Sequence, residues 1–215
     1  MKILSADLVT SAYTGGARDG IIRDELPQFG FIGRSNVGKS SLLNALMGRT
    51  LARTSAAAGK TRHANYYRVT AEGGKGGLAT WGVYLVDLPG YGYARGGHDS
   101  RQELSGVVDA YLSALERPPA PNAPQREDRG AMFLMVDSRH PGLAADLEAW
   151  QHLSSRARVH VVASKVDKLS RSERAKSVRE LTRIFNQAPI VVSSTSGEGL
   201  DDIWRVIASA TIGDA

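Results

Sequence analysis

The chain has 215 residues, a net charge of +5 and no cysteine. That length can bury a full core as one domain, and the missing cysteines exclude a disulfide framework and a thiolate metal site, which suits a reducing cytoplasm. Asp7 interrupts the first apolar stretch, so no signal peptide is expected, and no apolar run approaches the ~18 residues of a membrane span.

Residues 1–28 show no period that assigns them and read as an entry segment; residues 29–215 read as a single domain. Phe29-Gly30-Phe31-Ile32 is a short buried strand. Ser40–Met47 follows as a helix with Leu42, Leu43 and Leu46 inward, closed by Gly48. Between them, Gly33-Arg34-Ser35-Asn36-Val37-Gly38-Lys39-Ser40-Ser41 fits G-x-x-x-x-G-K-[ST], the phosphate-binding loop, in the strand–loop–helix context it needs. Such a loop cradles phosphate oxygens with backbone N–H groups, helped by the positive end of the following helix. Lys39 is placed to reach β- and γ-phosphates, and the Ser40 hydroxyl to bind Mg²⁺.

Gly59-Lys60-Thr61-Arg62 precedes the next strand, Tyr66–Thr70. A threonine there can give Mg²⁺ a second hydroxyl and bind the γ-phosphate through its backbone. Sequence does not choose among Thr50, Thr54 and Thr61, though position just before the strand favours Thr61. The cluster Gly73-Gly74-Lys75-Gly76-Gly77 reads as a hairpin turn leading into the strand Thr80–Val86. Asp87-Leu88-Pro89-Gly90 follows directly. Its aspartate can hold a water on Mg²⁺, and the Gly90 N–H can approach the γ-phosphate. Many related hydrolases carry a water-orienting glutamine next; Tyr91 stands there, so hydrolysis is expected to be slow, with Tyr91–Ala94 a switch segment.

Ser100–Glu116 reads as a helix and Arg117–Gly130, with four prolines, as a mobile insertion. The strand Ala131–Val136 leads to Asp137, Arg139 and His140, which read as an ion pair or turn anchor in preference to a catalytic dyad. The helix Leu143–Leu153 and the strand Val159–Ala163 come next. Ser164-Lys165-Val166-Asp167 then offers a carboxylate for the N1 and 2-amino groups of guanine, a donor pair adenine lacks, with the Lys165 stem covering the base. The helix Ser170–Phe185 opens on a capping box, Ser170 to Glu173. Between Lys168 and Arg183 lie six basic residues against Glu173 and Glu180, either a solvated face or a surface for a polyanion such as RNA. After the strand Pro189–Val192, backbone N–H groups of Val192-Ser193-Ser194-Thr195 can reach the guanine O6; Leu200–Ala210 is the last helix. His63, His98, His152 and His160 have no metal spacing, and Trp81, Trp150 and Trp204 are assigned to packing.

The alternation of strands and helices predicts an α/β fold: a mostly parallel six-stranded sheet, one antiparallel edge strand, and helices on both faces. A small-molecule kinase or ATPase is disfavoured by Ser164–Asp167 and by the lack of a leftover substrate domain. A nucleotide-bound scaffold with negligible turnover stays open because of Tyr91.

These pieces together resemble the translation-factor-related GTPases and, more closely, the EngB family (YihA or YsxC) of bacterial GTP-binding proteins. The resemblance rests on Gly33–Leu42, Gly59-Lys60-Thr61, Asp87–Ala94, Asp137-Ser138-Arg139-His140 and Ser193-Ser194, and runs from Phe29 to Ala208. The Ser11-Ala12 pair is similar to the family's entry segment. Ser164 stands where the family usually has threonine and Ala58 where it usually has proline; Gly73–Gly77 and Pro118–Arg129 are longer than typical. The resemblance implies a Ras-like P-loop GTPase fold binding GTP or GDP with Mg²⁺, in a monomer. It also implies a role in assembly of the large ribosomal subunit on its rRNA, and a link to cell division and septation. By the same likeness, Asn36 stands where related GTPases hold a potassium ion (K⁺) beside the phosphates.

Overall fold

The apolar runs at Phe29–Ile32 and Ala131–Val136 are too continuous for a one-sided sheet, and the computed structural model places both at its centre. The model describes residues 1–13, 20–52, 63–73, 80–91, 97–116 and 130–212, the side chains of 97–105 excepted. The strands are β1 (Lys2–Ala12), β2 (Gln28–Gly33), β3 (Ala64–Glu72), β4 (Thr80–Asp87), β5 (Gly130–Asp137), β6 (Val159–Ser164) and β7 (Ile190–Val191). The helices are α1 (Lys39–Met47), α2 (Gly97–Leu115), α3 (Ala144–Ser154), α4 (Arg171–Phe185) and α5 (Leu200–Ile212). The strand order is β1-β3-β4-β2-β5-β6-β7.

The sheet has seven strands where the pattern predicts six. The added strand is β1, antiparallel to β3, with register shifts at Ile3/Ser5 and Leu8/Thr10. Each shift breaks the two-residue alternation, and only Ala6 and Ala12 are buried along it, so the segment carries little apolar signal. A second correction follows. β3 is the single strand running against the rest, but β1 covers it, so it is not at the edge. β3 and β4 pair antiparallel from Asn65 opposite Asp87 to Glu72 opposite Thr80, as a hairpin requires; most of the glycine cluster lies outside the described residues. The remaining neighbours pair parallel. The last strand is shorter than predicted, since Pro189 has no N–H for a ladder.

Both faces are covered, as a largely parallel sheet demands. On one face α1 and α5 pack Leu42, Leu43, Leu46, Ile203, Trp204 and Ile207 against Phe29, Phe31, Leu85 and Phe133. Here Phe31 and Phe133 stack at 4.8 Å and Trp81 meets Trp204 edge-on at 6.2 Å. On the other, α2, α3 and α4 bring Val107, Tyr111, Leu112, Leu153, Leu181 and Phe185 onto Ile32, Tyr66, Val86, Leu134 and Val136. Trp150 packs edge-on against Phe185. The chain leaves β2 toward β3 and β4 on one side and later fills β5 to β7 on the other. The carboxyl end of β2 is thus the point where strand order reverses, and open α/β sheets form their crevice there.

Candidate functional site

The phosphate loop stands at that reversal. Gly38, at the amino end of α1, has φ 102°, a conformation a side chain would strain. Val37 N–H closes a turn on Arg34 O at 3.1 Å, and Leu42 N–H reaches Gly38 O at 2.9 Å. The N–H groups of Asn36, Gly38, Lys39 and Ser40 make no hydrogen bond within the described residues. Unpaired donors at a helix amino end are the raw material of an anion site.

Lys39 is buried and its ammonium donates to Asp87 Oδ1 at the end of β4. Burial draws the Lys39 pKa down to about 7, and a phosphate beside it would favour the charged form again. Ser40 follows Lys39 at the start of α1 and Asp87 ends β4, offering a hydroxyl and a carboxylate. Such hard oxygen donors suit Mg²⁺, which keeps waters of its own and takes few protein ligands. No group of three or more His, Cys, Asp or Glu side chains that could hold a metal exists among the described residues.

Leu88 and Pro89 carry the chain across the loop, with Leu88 N–H on Phe31 O at 3.0 Å. A Cβ on Gly90 would lie 2.7 Å from Gly33 O and 3.6 Å from Ser35 N. Only glycine lets the segment close this tightly on the phosphate loop. Gly59, Lys60 and Thr61 lie outside the described residues.

The other side of the crevice is built from β6 and the segment after β7. Ser164 is buried, and its hydroxyl lies 2.8 Å from Val37 O and 3.1 Å from Val136 O, joining β6 to the phosphate loop. A threonine would bring the same hydroxyl. Lys165 has φ 60°; its ammonium donates to Asn36 O and, at 3.0 Å, to Asp137 Oδ2. Asp137 also takes Arg139 Nε at 2.9 Å, Nη2 at 2.7 Å and the Arg139 N–H at 3.1 Å. Burial works against ionisation of Asp137, but the bonds from Arg139 and Lys165 together outweigh it and hold the carboxyl well below the usual range. This is the ion pair and turn anchor expected from the sequence.

Val166 N–H lies 3.5 Å from Val192 O, and Ser193 Oγ donates to Asp167 Oδ1 at 2.8 Å. Ser193 N–H is spent on Glu198 O at 3.0 Å, whereas Ser194 N–H makes no hydrogen bond within the described residues. Ser193 therefore orients the aspartate, and the Ser194 N–H is a free backbone donor beside it among the described residues.

Sequence reasoning missed Asp146. It sits in the first turn of α3 with its side chain fully buried, and its Oδ1 accepts Arg34 Nε at 2.9 Å and Tyr91 Oη at 2.8 Å. Burial raises its pKa against the pull of Tyr91 and Arg34, and burial with the Asp146 charge pushes the Tyr91 phenol up. No motif announces such a contact. The one available signal was an aspartate on the inward side of an otherwise apolar helical stripe.

Residues 28–195 match the family model described as "50S ribosome-binding GTPase". The chain is 38% identical over 213 residues to the "Probable GTP-binding protein EngB" of Chlorobaculum tepidum, covering 97% of each chain. The chain belongs to the EngB family. A second EngB relative, from Solibacter usitatus, is 36% identical over 97% of both chains. EngB proteins are P-loop GTPases, so this chain binds guanine nucleotide and hydrolyses GTP. Solved structures agree on the fold. A crystal structure of a probable GTP-binding protein engB aligns with a TM-score of 0.56 at 18% identity, covering 86% of this chain and 98% of that one. Era of Aquifex aeolicus bound to GDP·AlF4⁻ aligns with a TM-score of 0.67 at 19% identity, covering 87% of this chain and 57% of Era's longer one. No described helix of this EngB chain is long and apolar enough to cross a membrane.

Proposed function

We propose that this EngB protein is a cytoplasmic, monomeric, GTP-dependent switch that binds the assembling large ribosomal subunit through its rRNA, with cell division and septation depending on that role. The observation that carries the reading is the match of residues 28–195 to a 50S ribosome-binding GTPase. The outer face of α4 supports it: Arg171, Lys176, Arg179 and Arg183 are exposed, and none makes an ion pair within the described residues.

In this reading Lys39 binds the β- and γ-phosphates, and the backbone of Gly33–Ser41 cradles them. Thr61 and Gly90 meet the γ-phosphate, supported at Gly59-Lys60 and Leu88-Pro89. Ser164–Asp167 and Val192–Ser194 hold the guanine. Mg²⁺ would be held by Ser40 and Thr61, and by Asp87 through water, and would offset the charge of the phosphates. Turnover is slow because Tyr91 cannot orient water as an amide does. Asn36, exposed with φ 64°, would hold a potassium ion, whose charge would offset that developing on the phosphates. Cosedimentation with purified ribosomal subunits tests the role. The protein should travel with large subunits in a non-hydrolysable GTP analogue and leave them in GDP; absence from large subunits in both states overturns it.

A further inference from the structure

The phosphate, magnesium and base assignments leave the buried carboxylate of Asp146 without a task. Its geometry gives it one. Asp146 Oδ1 is the meeting point of three elements: Arg34 from the phosphate loop, Tyr91 from the segment after β4, and α3 itself. Its other oxygen is buried and accepts no hydrogen bond, so the carboxylate is committed wholly to these two donors. A carboxylate is left in such a place only when its partners hold it there, and removal of either partner is felt.

The two donors adjoin the residues that the proposed function assigns to the terminal phosphate. Arg34 lies between Gly33 and Ser35, and Tyr91 directly follows Gly90, where a Cβ would meet Gly33 O at 2.7 Å and Ser35 N at 3.6 Å. Fastening Arg34 and Tyr91 to one oxygen on a helix therefore fixes the Gly90 N–H relative to the loop. It also fixes the Tyr91 hydroxyl, which is taken by Asp146 and is not available to orient water.

We infer that Asp146 is a positioning residue for GTP hydrolysis, tying the Gly90 segment and the phosphate loop to α3 so that both present their donors to the γ-phosphate as one rigid unit. The Gly90 side of this unit meets only the γ-phosphate, which GDP lacks, while the loop also cradles the β-phosphate that GDP keeps. The tie thus acts more on GTP and on the transition state than on GDP. The inference rests on the GTPase activity and not on ribosome binding, so it stands or falls separately from cosedimentation.

The test uses the full chain carrying Asp146→Asn or Tyr91→Phe. Affinities for GDP and for a non-hydrolysable GTP analogue are measured beside single-turnover hydrolysis at saturating GTP. Loss of the charge-assisted bonds in Asp146→Asn should lower analogue affinity and hydrolysis about tenfold while GDP affinity stays within about twofold. Tyr91→Phe keeps the Arg34 pair and should show the same selective loss, smaller in size. Equal weakening of both nucleotides marks Asp146 as merely structural and overturns the inference, as does no change in either. Should Asp146→Asn fail to fold, Tyr91→Phe decides alone, since it removes one hydroxyl and leaves the buried ion pair intact.

Discussion

Asp167 is the single side chain we propose to set the nucleotide. Its carboxylate is fixed by Ser193 Oγ at 2.8 Å, and that bond holds its pKa below the ordinary carboxylate range. The group is therefore a fully ionised double acceptor, already aimed, and a base with two adjacent N–H donors satisfies it. Xanthine offers an oxygen where guanine offers the amino group. Asp167→Asn turns one acceptor into a donor and should weaken GTP on the order of a hundredfold or more while improving xanthosine triphosphate. Competition against a fluorescent guanine nucleotide measures both, and unchanged GTP affinity would remove the guanine assignment. Asp167 is exposed, so the fold should tolerate the change.

Helix α4 carries its information in spacing. Ser177, Leu181 and Phe185 face the core, and Lys176, Arg179 and Arg183 recur at i, i+3 and i+7 on the opposite side. At ~1.5 Å rise per residue the three cations span about 10 Å, which matches neighbouring phosphates of a nucleic-acid strand. None of the nearby acids pairs with them among the described residues: Glu173 is held in the capping box with Ser170, Glu198 pairs with Arg174, and Glu180 makes no ion pair. Replacing Lys176, Arg179 and Arg183 with glutamine should reduce the slope of log affinity against log salt by about 2 for a large-subunit rRNA fragment. GDP affinity and melting temperature should hold; an unchanged slope places the RNA contact elsewhere. This helix was legible in the sequence because its cap, apolar stripe and charges are all local. Strand β1 was not, because two register shifts and a core contribution from Ala6 and Ala12 leave little alternation or apolar signal to read.

Over the whole molecule, the same division between local and tertiary information explains what could be read of the site. The phosphate loop, Asp87–Gly90, Ser164–Asp167 and Ser193-Ser194 each follow a strand, and the sheet order sets Asp87–Gly90 on one side of the loop and the other two on the opposite side. Asp146 was invisible because its contacts to Arg34 and Tyr91 exist only once α3 has packed on β5 and β6 and come within reach of the segments that follow β2 and β4. That packing also sets the expectation for turnover. With the Tyr91 hydroxyl held by Asp146, no amide stands after Gly90 to orient the attacking water, so the isolated protein should hydrolyse GTP slowly. Two agents can restore the missing stabilisation: a cation at Asn36, or a docked subunit that orders the switch. Turnover of the protein alone and with large ribosomal subunits, each in potassium and in sodium salts, separates them. Faster turnover in potassium without subunits supports the Asn36 site, and equal rates remove it. Acceleration by subunits in both salts assigns the switch to the ribosome. A rate indistinguishable from buffer in all four conditions would make the protein a nucleotide-bound scaffold.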